Sequence, residues 1–168
     1  MKKLFFTLIA LMAVMTVQAQ SICATWRSMQ PVVETAGDGT FTAQHLTYTF
    51  NEDGTYYFID ELTMSSEPAK TMAQEVAACI EYQGTYTLDG DKLTLKPNMN
   101  TYKTDVISIS KNGRVAKDAN LKSKVKAQLN GRDFKNRLAQ NETCTVKVGE
   151  ASMQMNNSYF VRFATIKK

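Results

Sequence analysis

The 168-residue chain has one histidine, His45, and that scarcity excludes a good deal of chemistry. A Ser-His-Asp or Cys-His nucleophile site would have to use it, and no serine or cysteine sits in a nucleophile-elbow motif. His45 alternates with Thr47 and Thr49 on the polar side of a strand-like run, which makes it a surface residue before a metal or haem ligand. The three cysteines, Cys23, Cys79 and Cys144, form neither a CxxC pair nor a zinc-like spacing. In an exported chain two of them could form one disulfide and leave one thiol over, and spacing does not select the pair. There is no glycine-rich phosphate loop. Asp89 and Asp91 flank Gly90 and serve a turn better than acid–base catalysis. No catalytic residue, metal or cofactor is expected, and the chain reads as a non-enzyme.

Charge of one sign is also scarce. The net charge is +4, and two of those charges are Lys2 and Lys3 at the extreme N-terminus, so nucleic acid is not an expected partner. Long apolar runs are confined to Leu4–Val17, shorter than the ~20 residues that span a bilayer. Behind Lys2 and Lys3, and ending at Val17-Gln18-Ala19, this run reads as a signal peptide over residues 1–19. A lipoprotein signal would need its cysteine at the cut, and Cys23 lies several residues beyond it. Residues 20–168 are then one exported domain without a transmembrane segment, destined for a periplasm, a cell surface or secretion.

What the chain does have is a succession of hairpins. Gln44–Phe50 alternates, with Leu46, Tyr48 and Phe50 on one face. Asn51–Gly54 is a turn and Thr55–Asp60 the returning strand, with Asp60 and Glu61 at its solvated end. A two-residue turn at Gly90-Asp91 sets Asp89 opposite Lys92 and Leu88 opposite Leu93, so that Tyr82, Gly84, Tyr86 and Leu88 share a face with Leu93 and Leu95. Residues 24–29 form a first strand around Trp26, and residues 31–40 a loop. Residues 103–110 form another strand with Ile107 and Ile109 on one side. A turn at Gly149-Glu150 would set Val148 opposite Ala151, Val146 opposite Met153 and Cys144 opposite Met155. In the last strand Tyr159, Val161 and Phe163 make the more apolar face.

Two stretches break this pattern. Residues 67–80 place Met72, Val76 and Ile80 at helical spacing after Pro68, as a short helix or lid. Residues 117–140 repeat Leu121, Val125 and Leu129, then Phe134 and Leu138, as two short helices with Asp118 and Asp133 capping their starts. From Lys111 to Arg137 nine basic residues meet two acids. The bland reading is a solvated face; the functional one is a basic contact surface carried by Lys122, Lys124 and Lys126, facing lipid headgroups, an anionic glycan or a protein. The fold class is mostly β: an antiparallel up-and-down barrel of about nine strands with a late helical insert, or else a β-sandwich.

Three segments carry a family likeness: Ala24-Thr25-Trp26, the run Tyr48–Tyr56, and Tyr82–Leu93. The chain resembles a lipocalin-like domain of the kind exported by Bacteroidota, best over residues 24–110. The resemblance implies a barrel in which Trp26 closes one end under an arginine, for which Arg162 is the candidate. It implies a small apolar or amphipathic ligand held inside. Tyr48, Phe50, Tyr56, Phe58, Tyr86, Met153 and Met155 are the candidate lining, since methionine adapts to irregular guests and tyrosine supplies a few polar contacts. Residues 31–43 and 63–81 would act as lids. The alternative is an envelope interaction module with a filled core and the basic helices as its contact surface.

Overall fold

A computed structural model describes residues 22–36, 40–66 and 74–163. It contains β1 (Thr25–Ser28), β2 (Val32–Thr35), β3 (Phe41–Phe50), β4 (Thr55–Ser66), β5 (Gln74–Asp89), β6 (Lys92–Lys111), β7 (Arg114–Val115), α1 (Ala119–Leu129), α2 (Arg132–Leu138), β8 (Glu142–Val148), β9 (Ser152–Met155) and β10 (Ser158–Phe163). All pairings are antiparallel, and each strand of the wall follows its neighbour in sequence. The first strand, β1, bonds both β10 and β3, so eight strands close into an up-and-down barrel. Closure removes the two free edges of an open sheet, except along β6 beyond Leu95, where β8 has not yet joined it. β2 continues the line of β1 along β3, and β7 is a short appendage of β6.

Turns explain the hairpins. Gly54 (φ 79°) and Gly90 (φ 61°) take backbone conformations that side chains disfavour. Asp53 accepts from the Thr55 N–H at 2.9 Å and steadies the first turn. The pairs Asp89↔Lys92 and Leu88↔Leu93 form as the sequence requires. Three turns (β3–β4, β5–β6 and β8–β9) lie at one barrel end, here the turn end. At the other, the helix end, β4, β5 and β6 run well beyond β9 and β10, and α1 and α2 fill the missing wall.

Several expectations need correction. Residues 74–80 are strand, not helix. Val76 and Ile80 are four residues apart, a spacing that an alternating strand satisfies equally, and the buried set is Val76, Ala78, Ile80 and Tyr82. Met72 and the rest of 67–73 lie outside the described residues. The loop at 31–40 contains β2, paired to β3 from Val32↔Gln44 to Thr35↔Phe41. The described parts of both expected lids are therefore wall strands. Ile107 and Ile109 do not share a face: a bulge opposite Ala77 and Ala78 turns Ile107 outward, 61% exposed, while Val106 and Ile109 are buried. The last hairpin pairs Val148↔Met153 and Val146↔Met155, two residues from the expected register. An even shift leaves faces unchanged, so Cys144, Val146, Met153 and Met155 still point inward. In β10 the inward residue is Phe160. Tyr159 and Phe163 are more than half exposed, because Trp26↔Arg162 and Ser28↔Phe160 pairing sets the parity.

Both late helices form. Asp118 caps α1, accepting from the Asn120 and Leu121 N–H groups, and Val125 and Leu129 are buried against the barrel. The N-cap of α2 is Gly131, not Asp133, which sits within the first turn. Among the described residues no disulfide joins Cys23, Cys79 and Cys144.

Candidate functional site

The registers of β3, β4 and β5 stack the inward side chains in layers from the turn end to the helix end. The layers are Phe50–Tyr56–Gly84, Tyr48–Phe58–Tyr82, Leu46–Asp60–Ile80, Gln44–Leu62–Ala78 and Thr42–Met64–Val76. Alternation in three adjacent strands produces this order. The first two layers are an aromatic floor. Tyr48 stacks on Phe50 with centroids 5.8 Å apart, lies 4.8 Å from Phe58, and meets Phe160 edge-on at 5.8 Å. Phe58 and Tyr82 are 4.7 Å apart.

Six of the seven candidate lining residues (Tyr48, Phe50, Tyr56, Phe58, Met153 and Met155) are buried in this one core. Tyr86 is half-buried at the turn end. Its hydroxyl donates to the Asn51 carbonyl at 2.8 Å and lies 3.4 Å from the Cys23 Sγ. Level with Tyr48, its partner on β3, Trp26 has no exposed surface. Its Nε1 donates to the Ile22 carbonyl at 2.8 Å, and the Arg162 guanidinium lies 5.3 Å from its ring. His45 is on the outer face opposite Glu61. Lys126 faces Asp105 at 3.7 Å; Lys122 and Lys124 are exposed on the same helix.

Above the floor the interior opens. Leu46, Gln44 and Met64 point inward yet are only half-buried. A groove of about 460 Å³ runs between Met64 and the helix pair, with Val125, Leu129 and Phe134 as its apolar side and Arg132 and Arg137 at its rim. Among the described residues the buried polar side chains are Ser28 and Asp60. The Ser28 Oγ accepts from the Leu46 N–H where β1 leaves the sheet. Asp60 Oδ2 accepts from Gln44 Nε2 at 2.6 Å, while its Oδ1 is buried without a partner. Burial, reinforced by the neighbouring Glu61 charge and opposed by Gln44, pushes its carboxyl up to about 6.

Asp60 is the residue that sequence reasoning missed. It was placed at a solvated strand end beside Glu61, but β4 continues to Ser66. The signal was present: Tyr56, Phe58, Asp60 and Leu62 share parity, so a strand that buries its aromatics must bury this acid too.

The opposite wall is breached. β8 pairs β6 only between Lys92↔Thr145 and Leu95↔Glu142. Beyond Pro97, β6 loops out: Gln83 pairs Asn98 but Glu81 pairs Lys103, so four residues of β6 stand against Tyr82 alone. Thr101 secures the bulge, its Oγ1 accepting from the Gln83 N–H at 2.8 Å and donating to the Asn98 carbonyl at 2.7 Å. Tyr102 then reaches the free Leu129 carbonyl at the end of α1, at 2.7 Å. The helices sit where β8 has not yet joined β6.

Among the described residues no cluster of His, Cys, Asp or Glu could hold a metal, and no helix is long and apolar enough to cross a membrane. No curated protein matches the chain. The family model for the lipocalin-like domain matches residues 22–113, more than half of the sequence, and these span β1 to the end of the β6–β7 turn. The match falls on β1 to β6, which carry Trp26 and the aromatic floor, and the chain belongs to the lipocalin-like domain family.

Proposed function

We propose that this protein is an exported binding protein that holds a small apolar or amphipathic molecule in the helix-end half of its barrel. It acts by burial of the guest and not by catalysis. One observation carries the reading. Above the aromatic floor the inward face is mostly apolar, its Leu46, Gln44 and Met64 side chains are only half-buried, and it contains a single acid with an unpartnered oxygen. That is the composition of a ligand site: greasy walls with one or two polar contacts that fix orientation. Family membership supports it, as does the outward position of the sole histidine. The tyrosines and methionines of the expected lining act as the floor. The leading residues 1–19, with their charged start and apolar run, support export.

Native mass spectrometry of residues 20–168, produced in a bacterial periplasm and compared with a denatured extract, is expected to show an added mass that the extract resolves as a lipid or other small molecule. Met64→Trp, which fills the half-buried mouth, should abolish that mass. Met153 is a poorer target, because it has no exposed surface and a tryptophan there would overpack the core. A clean apo mass, together with no thermal shift from fatty acids or haem, would sink the carrier reading.

A second reading is favoured by Lys122 and Lys124, both of which are exposed on α1. In it the helix face docks an anionic protein or glycan. Charge reversal of Lys122, Lys124 and Lys126 should then remove the partner and leave the barrel's guest in place. If Met64→Trp removes the partner instead, the basic surface is not the contact.

A further inference from the structure

The β6–β8 breach contains a feature that the barrel interior does not explain. Tyr56 belongs to the floor by parity, but its ring lies across Gly84, where a Cβ would stand 2.6 Å from the ring's Cζ. The missing side chain lets Tyr56 cross the wall. Its hydroxyl is buried and makes no hydrogen bond of good geometry, with the Tyr82 hydroxyl beside it. A cleft of about 290 Å³ opens there from solvent, between the end of α2 and the start of β8. Tyr56 and Tyr82 form its base, Pro97 and Leu138 its sides, and Arg137 and Glu142 its opposing charged rims.

We propose that this lateral cleft is a binding subsite for a neutral, polyhydroxylated group, such as the sugar or polyol head of an amphipathic guest. An orphaned, buried hydroxyl is uncommon in folded proteins and can both donate and accept, which is what a ligand hydroxyl needs. The cleft is just below the ~300–1,000 Å³ of pockets that take whole ligands, so it suits one ring or head group. Charge decides the class. Burial first, and then the nearby Glu142 carboxylate, raise the pKa values of both tyrosine hydroxyls and keep them neutral, and an anionic head would meet the Glu142 charge where they offer hydrogen bonds. A cationic head would meet Arg137. Seven-residue α2 has no fully buried residue and is held to the barrel by half-buried Phe134 and Leu138. The subsite rests on the carrier reading for the apolar part of the guest, which would enter the barrel beside Tyr82.

The test uses three eight-carbon probes below their aggregation limits: octyl glucoside, octanol and octanoate, each titrated into the purified protein and followed by NMR. Octyl glucoside should bind about tenfold more tightly than octanol, and octanoate more weakly than the glucoside. Tyr56→Phe removes an oxygen whose protein neighbour is the Tyr82 hydroxyl and which makes no bond of good geometry, so the variant should fold with little change in stability. It should lose most of the glucoside preference, read as the ratio of glucoside to octanol affinity. Equal binding of glucoside and octanol, tighter binding of octanoate, or an unaltered preference in Tyr56→Phe would each overturn the subsite and leave the carrier reading standing. If none of the three probes binds, the subsite is again overturned, and the carrier reading is judged separately by the co-purified cargo.

Discussion

Gly84→Ala should destabilise the protein by about 3 kcal/mol, lowering its melting temperature by roughly 10 °C. This reverses the usual expectation. A glycine inside a strand costs backbone entropy, and replacing it with alanine typically gains about 0.5–1 kcal/mol. Here the added methyl would lie 2.5 Å from the Lys96 carbonyl oxygen and 2.6 Å from Tyr56 Cζ. The first neighbour is backbone of the paired strand, since Thr85 pairs Lys96 and Gly84 pairs Pro97. The second is a ring set between Phe50 at 6.1 Å and Tyr82 at 6.3 Å. Neither can withdraw cheaply. Truncating the ring as well, in Gly84→Ala/Tyr56→Ala, should not restore stability, because the carbonyl contact remains. Thermal and urea denaturation of the two variants would settle the point. A Gly84→Ala melting temperature equal to or above that of the parent would mean that the β5–β6 ladder relaxes freely, and that Gly84 does not hold open the path of Tyr56.

How much of this could be read from the chain depends on whether a feature is local. The β5–β6 hairpin was legible because Gly90-Asp91 specifies both the turn and the register, and parity then assigns every face as far as Tyr82. The aromatic floor was legible for the same reason. The helices were legible because Leu121, Val125 and Leu129 came with a cap at Asp118 and a departure from alternation. Val76 and Ile80 had the same four-residue spacing without those signals, and four is both a multiple of the strand period of two and close to the helical turn of about 3.6. Features that exist only between strands were hidden. The outward turn of Ile107 depends on a bulge measured against Ala77 and Ala78. The inward turn of Phe160 depends on Trp26 pairing with Arg162. The breach under α2 exists because β8 begins late and β6 bulges after Pro97, and neither event has a motif. The candidate site was therefore half visible: its floor and its acid follow from periodicity, while its mouth and its side opening come from the relative lengths of neighbouring strands.

The acid yields the other large effect. Asp60 is 2% exposed, and its carboxyl is raised from 3.8 to about 6, chiefly because burial disfavours the charged form. The folded state thus holds this proton more tightly than the unfolded chain does. Stability from the neutral acid is complete below about pH 4 and is lost as pH rises through 6. By linkage the charged form costs the folded state about 3 kcal/mol at pH 7.5. Asp60→Asn keeps the shape and can still accept from Gln44, but it places an amide beside a site with no partner, at about 1 kcal/mol. The variant should therefore be more stable than the parent by about 2 kcal/mol at pH 7.5 and no more stable at pH 4.5. Because other carboxylates titrate in the same range, the measurement is the difference between variant and parent across pH, from urea midpoints. A gain that does not change with pH, or a loss at pH 7.5, would mean that Asp60 is solvated or paired in solution. If the pH-dependent gain appears, the parent keeps an unpaired charge in its barrel at neutral pH that one substitution would relieve. A guest hydroxyl donating to the free Oδ1 would relieve it as well, so guest affinity should fall in Asp60→Asn even as stability rises.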